Sequence, residues 1–143
     1  MEKYNKWFAF AYGRKNMICT LTINPAMDRM IYLQEFSRGN TNRIRKQSDA
    51  LGGKGTHVSV NLEILQCRNK AFGIGYGETG LRIEEKLKGE YIELEFLHYS
   101  SGNSRTNYAV VEENGCCTLL SGKGRIITKE ECENLLERMN RVM

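Results

Sequence analysis

The segment Gly52-Gly53-Lys54-Gly55 stands directly before an aliphatic-rich run, and it constrains this chain more than any other feature. Without Cβ atoms in the way, the backbone of two neighbouring glycines can pass very close to a ligand. A helix that begins just after them aims its unpaired N–H groups, and the positive end of its dipole, at the same spot. Such a turn receives an anion or a polyhydroxy ligand. Val58, Val60, Leu62 and Ile64 alternate as in a strand, while Val58, Leu62 and Leu65 fit one helical face. The glycine loop in front favours a helix over residues 54–66.

The rest of the chain reads as alternating strands and helices. Ile18 to Ile23 is a β-branched-rich run ended by Asn24-Pro25, which predicts a buried strand. Met30 to Phe36 and Arg43 to Ser48 predict two strands separated by the turn-forming Ser37-Arg38-Gly39-Asn40. A short strand follows at Lys70 to Ile74, then a helix with Thr79 as N-cap and Gly89 as stop. Ile92, Leu94 and Phe96 alternate with glutamates as in a half-buried strand. Asn107 to Glu112 and Cys116 to Leu120 flank Glu113-Asn114-Gly115, a strong hairpin signal. Thr128 and Glu131 form a capping box that opens a last helix, striped with Cys132, Leu135, Leu136, Met139 and Val142. Strand–helix alternation predicts a parallel α/β sheet, with the strand pairs at 30–48 and 107–120 in a separate small sheet.

Composition limits the function classes. At 143 residues, 27% charged and 41% hydrophobic, the chain is a globular domain that can bury a real core. No apolar stretch approaches a membrane span, so no membrane partner is expected. The run Trp7 to Tyr12 is short and lacks a small-residue cleavage site, which speaks against a signal peptide. Five cysteines without a C-x-x-C pair fit free thiols in a reducing cytoplasm. The net charge of +4 arises in residues 1–50, where 9 Lys/Arg face 4 Asp/Glu. Aromatics do not interleave with these cations, so a small phosphorylated ligand is expected and nucleic acid is not.

Three further signals stay open on the residues alone. Gly75-Tyr76-Gly77-Glu78-Thr79-Gly80 satisfies G-x-G-x-x-G, which is either a nucleotide loop or, more simply, a glycine-rich turn. His57, four residues after Gly53, faces the expected ligand loop, whereas His98 reads as structural. Arg105 is a solvated arginine or, with Arg43, a bidentate phosphate clamp.

From Met17 onward the chain resembles the amino-terminal half of PfkB-type (ribokinase-like) sugar kinases, in the manner of 1-phosphofructokinases and tagatose-6-phosphate kinases. The resemblance rests on Thr22-Ile23-Asn24-Pro25-Ala26-Met27-Asp28-Arg29, Asn42-Arg43, Gly52-Gly53-Lys54-Gly55, Gly77-Glu78-Thr79-Gly80 and Ser104-Arg105-Thr106-Asn107, in that order. It implies a ribokinase-like partial parallel sheet flanked by helices, with a small antiparallel β lid at about 30–48 and 105–121. It also implies that Asp28, Gly52 and Gly53 grip sugar hydroxyls, while Arg43, Lys54 and Arg105 hold the sugar's own phosphate. His57 and Asn107 complete the expected substrate-binding set. The implied activity transfers phosphate from Mg-ATP to a hexose monophosphate, and the implied partner is a second copy, clasped through the lid.

This chain departs from the family pattern in places. His57 stands where relatives have asparagine, and Leu120-Ser121-Gly122-Lys123-Gly124 where they read roughly Asn-Glu-Pro-Gly-Pro. The Gly-Ala-Gly-Asp segment, to which the resemblance assigns the anion hole and the catalytic base, is not in the sequence. The expectation is therefore a truncated chain, inactive alone, with no catalytic or metal-binding residue of its own; the alternative is a non-catalytic sugar-phosphate-binding or dimerisation module. Residues 1–16 are expected to form a leader outside the family match.

Overall fold

The structure, a computed structural model, describes residues 17–142. The expected leader at 1–16 lies outside the described residues. The elements in chain order are β1 (Ile18–Thr22), β2 (Ala26–Leu33), β3 (Lys46–Gly52), α1 (Lys54–Ile64) and β4 (Asn69–Tyr76). They are followed by α2 (Gly77–Leu87), β5 (Ile92–Tyr99), β6 (Arg105–Glu112), β7 (Cys117–Leu120) and α3 (Lys129–Val142). Among the described residues, no helix is long and apolar enough to cross a membrane.

Two sheets form. The body is a three-stranded parallel sheet in the order β1-β4-β5. Phe72, Ile74 and Tyr76 of β4 point to one face and pack with Leu135, Met139 and Val142 of α3. On the other face, Leu94 and Phe96 of β5 meet Ile83 and Leu87 of α2. The small Ala71 and Gly73 stand opposite Leu94 and Phe96 in register, which leaves the larger side chains room. Each fully buried aliphatic or phenyl side chain contributes about 1.5–3 kcal/mol. The α1 helix lies against β1, where the Thr20 and Ser59 hydroxyls share a hydrogen bond of 2.6 Å.

The lid is a four-stranded sheet in the order β3-β2-β6-β7. Its outer pairings, β2 with β3 and β6 with β7, are antiparallel hairpins as expected, while β2 and β6 join at the centre in parallel. Met27 and Leu51 at the root of the lid pack into the Ile83–Leu87 cluster, so lid and body share a core.

Several boundaries differ from those read off the sequence. The first lid strand starts at Ala26, not Met30, because the chain resumes pairing with Arg105 immediately after the Asn24-Pro25 break. The second runs from Lys46 to Gly52, where Arg43 to Ser48 was expected. Asn42 explains the shift: its Oδ1 accepts from the Ser37 N–H at 2.7 Å and its Nδ2 donates to the Ser37 carbonyl at 2.9 Å. That closes a wide loop and delays the strand. Thr79 is not an N-cap, since α2 already begins at Gly77. The Thr128–Glu131 capping box forms, with reciprocal bonds of 2.8 and 3.2 Å.

Candidate functional site

The site lies where the lid root meets the start of α1. Asp28 on β2 stands between β3 and β6. Asn107 is its register partner on β6 and donates from Nδ2 to Asp28 Oδ1 at 2.6 Å. On the other side, a Cβ built on Gly52 would stand 2.7 Å from the Asp28 Cγ, so glycine is required for the carboxylate to lie there. Gly53, the N-cap of α1, has φ +116°, a conformation that side-chain-bearing residues rarely adopt. No side chain caps this helix. Thr56 instead donates its hydroxyl to the carbonyls of Gly53 at 2.6 Å and Gly52 at 3.0 Å, which pins the loop. The first N–H groups of α1 thus carry no side-chain cap.

Arg105 shares a strand face with Asn107, two residues on and about 6–7 Å away by strand rise. Its Nε is buried without a hydrogen-bond partner among the described residues. An orphaned buried guanidinium nitrogen marks a place for an oxyanion. The segment after β7 closes the other side: Asn107 Oδ1 accepts from Ser121 Oγ at 3.2 Å and from the Gly122 N–H at 3.0 Å.

Asp28, Gly52, Gly53, Arg105 and Asn107 are therefore brought together, and Lys54 follows them as the exposed first residue of α1. Arg43 is not brought to this cluster within one chain. It precedes Lys46, which faces Tyr32, four positions and about 13 Å along β2 from Asp28. His57 bonds the Leu51 carbonyl through Nε2 at 2.7 Å and supports the strand end that leads into the glycines. It lines a surface pocket with Leu51, Val60, Asn61 and Lys86. Sequence reasoning missed Ser121 and Gly122 as contributors. The only signal was their place in the segment that departs from the family pattern.

Two other polar clusters form outside the site. Asp49 of β3 takes a bidentate grip from Arg29, at 2.8 and 2.9 Å, and a further bond from Arg82 of α2. The Arg29 hydrogen bond, against a smaller burial penalty, holds its carboxyl down at about 2. Behind β4, Tyr76 donates to the buried Glu131 at 3.0 Å while Arg125 lies over the tyrosine ring at 4.6 Å. Burial, and then the Glu131 bond, push the Tyr76 hydroxyl well above its usual range.

The G-x-G-x-x-G segment is a filled turn. Tyr76 N donates to Ser104 Oγ at 3.0 Å and the Thr79 N–H to Asn103 Oδ1 at 3.3 Å. A Cβ on Gly77 would stand 2.6 Å from that same Asn103 oxygen. Protein atoms thus occupy the ground a nucleotide phosphate would need there. Among the described residues, no three His, Cys, Asp or Glu side chains converge to hold a metal ion.

A parallel α/β body, a β lid sharing its core, and a Gly-Gly helix start beneath an aspartate define a ribokinase-like sugar-kinase fold. The relatives it matches are sugar-phosphate kinases of the PfkB type. It is 33% identical over 122 residues to the 1-phosphofructokinase of Bacillus subtilis, covering 85% of this chain and 39% of that one. It is 33% identical over 117 residues to the tagatose-6-phosphate kinase of Staphylococcus epidermidis, covering 82% and 37%. A Thermotoga maritima structure described as a possible 1-phosphofructokinase superposes with a TM-score of 0.78 at 29% identity, covering 88% of this chain and 41% of that one. Phosphofructokinase-2 of Escherichia coli, solved with substrates and products, shares the fold with a TM-score of 0.81 at 21% identity, covering 89% and 41%. The chain thus spans about two fifths of the length of these relatives. No protein-family model matches it.

Proposed function

We propose that this chain forms the substrate-binding and lid portion of a sugar-phosphate kinase and takes a hexose monophosphate as its ligand. One observation carries the reading: Asp28, Asn107 and Arg105, whose buried Nε has no partner among the described residues, share one face beside the Gly52–Gly53 loop. A carboxylate and an amide suit sugar hydroxyls. A guanidinium about 6–7 Å further along the strand suits the phosphate at the other end of the same small molecule. Lys54 and the uncapped first turn of α1 add positive potential to that ligand. The names of the relatives point to a phosphorylated ketohexose such as fructose 1-phosphate or tagatose 6-phosphate.

Phosphoryl transfer in the family would draw on ATP and Mg2+. It needs stabilisation of the transferred charge and a positioned base. The residues described here offer no cradle for these groups, because the one glycine-rich turn that could hold a nucleotide is filled by Asn103 and Ser104. No transfer step is assigned to this chain's own residues. We expect binding without turnover, in the cytoplasm, where the five free thiols would persist.

The lid also supports a homodimer as partner. Its β7 edge presents Leu119 and Leu120, 61% and 53% exposed, beside unpaired backbone groups that recruit another strand.

Isothermal titration with each sugar phosphate, against fructose and tagatose themselves, tests the reading. Binding is expected for the phosphates alone, and a coupled assay with Mg-ATP is expected to stay at background. Equal affinity for sugar and sugar phosphate would overturn the phosphate role of Arg105. Turnover abolished by Asp28→Ala would overturn the absence of a catalytic base.

A further inference from the structure

The Asn107 side chain is held from both ends. Its Oδ1 accepts two hydrogen bonds, from the Ser121 hydroxyl at 3.2 Å and the Gly122 N–H at 3.0 Å. A backbone N–H can only donate, so the amide oxygen must face Gly122 and the NH2 must face Asp28. It does so at 2.6 Å, on Oδ1 of the carboxylate. That bond to Oδ1 leaves Asp28 Oδ2 and the second Nδ2 hydrogen for a ligand.

We propose that Ser121 and Gly122 set the hydrogen-bonding polarity of the sugar subsite. By fixing the Asn107 amide they place one acceptor, Asp28 Oδ2, beside one donor, Asn107 Nδ2. A ligand hydroxyl can then donate to the first and accept from the second at once. The class of ligand selected is a polyol carbon bearing a free hydroxyl; an ammonium, an ether or a keto oxygen at the same place satisfies only one of the two. Ser121 is a positioning residue in this arrangement and acts through Asn107. The inference rests on the sugar-phosphate reading above for its ligand, but not for the orientation of the amide.

Physical necessity also links these residues across the fold. Asn107 is 9% exposed, so an amide turned the wrong way would put its oxygen against the Asp28 carboxylate and its NH2 against the Gly122 N–H. Both contacts repel, and burial magnifies them. The segment after β7, where this chain departs from its family, thus supplies a backbone anchor and a serine hydroxyl behind the subsite.

The experiment uses the full chain and three variants: Ser121→Ala, Ser121→Thr and Asn107→Asp. Calorimetry with fructose 1-phosphate, tagatose 6-phosphate and inorganic phosphate measures affinity. Nuclear magnetic resonance of the Asn107 side-chain amide measures orientation without any ligand. Ser121→Ala is expected to weaken sugar-phosphate binding about three- to tenfold, the scale of one lost hydrogen bond, and to leave inorganic phosphate unchanged. Ser121→Thr, which keeps the hydroxyl, should restore it.

Asn107→Asp keeps shape and both anchoring bonds but sets two carboxylates face to face. One of them is then forced to hold its proton to a higher pH. The affinity ratio of this variant to wild type should therefore recover as pH falls, which a purely structural role would not produce. A Ser121→Ala variant with wild-type amide signals, or a pH-independent ratio for Asn107→Asp, overturns the proposal. Should wild type bind neither sugar phosphate better than inorganic phosphate, the sugar reading falls, and the amide signals alone decide the orientation.

Discussion

Gly52 has no space for a side chain because the Asp28 carboxylate lies against its Cα, with Oδ2 2.7 Å from where a Cβ would stand. Backbone flexibility is therefore not the reason for glycine here; close approach is. Gly52→Ala should displace the carboxylate, break its bond to Asn107 and cost about 1–3 kcal/mol of stability through overpacking. Denaturant unfolding and calorimetry should both register the change. An alanine variant with wild-type sugar-phosphate affinity would show that Asp28 does not contact the ligand.

Arg105→Ala should weaken sugar-phosphate binding by about 1.5–3 kcal/mol, the scale of a charged hydrogen bond. The same affinity should fall with added salt, though less steeply than for a fully exposed pair, because Arg105 is partly buried and charges are screened within about 10 Å at 0.1 M. Titrations at low and high ionic strength check both. Salt-independent binding would mean that the anion is held elsewhere.

Asp49 is gripped within the lid by Arg29 and links the lid to α2 through Arg82. Its folded pKa, about 2, lies below the ordinary value of 3.8. A depressed carboxylate contributes stability that is present above the unfolded pKa and lost as pH falls through the folded one. The chain should thus lose stability from about pH 4 down to about pH 2. Asp49→Asn should flatten that part of the profile and cost about 1 kcal/mol at neutral pH, discounted for partial exposure. Thermal melts of both proteins across this window provide the check.

Self-association is expected through the exposed lid edge. Leu119→Lys places a charge on β7 and should shift the chain toward monomer in light scattering. A wild-type chain that stays monomeric across a wide concentration range would remove the lid dimer from consideration.

Much of this fold was legible because local chemistry and tertiary outcome agree. The Thr128–Glu131 capping box and the Asn114-Gly115 turn are satisfied within a few residues of themselves, and both form where expected. Sequence periodicity failed where long-range pairing decides. Asp49 and Ala50 carry no strand signal, yet they lie in β3 because Arg29 and Asp28 stand opposite. Thr79 reads as a cap only until Asn103, which is 24 residues away, takes its N–H. The Asp28, Gly52–Gly53 and Arg105–Asn107 parts of the site could be named from motifs. Ser121 could not, because its hydroxyl works through another side chain and leaves no spacing pattern.

The parallel pairing of β2 with β6 has a consequence for the order of assembly. Asp28 and Asn107 are 79 residues apart, and β4, α2 and β5 lie between them in the chain. Closing so long a loop is entropically unfavourable until the intervening segment is compact. The ligand pair should therefore be the last part of the molecule to form on refolding. On a ribosome, the β2–β3 hairpin would wait, half-paired and sticky, until residue 107 had emerged. A pulse-labelled exchange experiment should find the β2 amides protected later than those of β4.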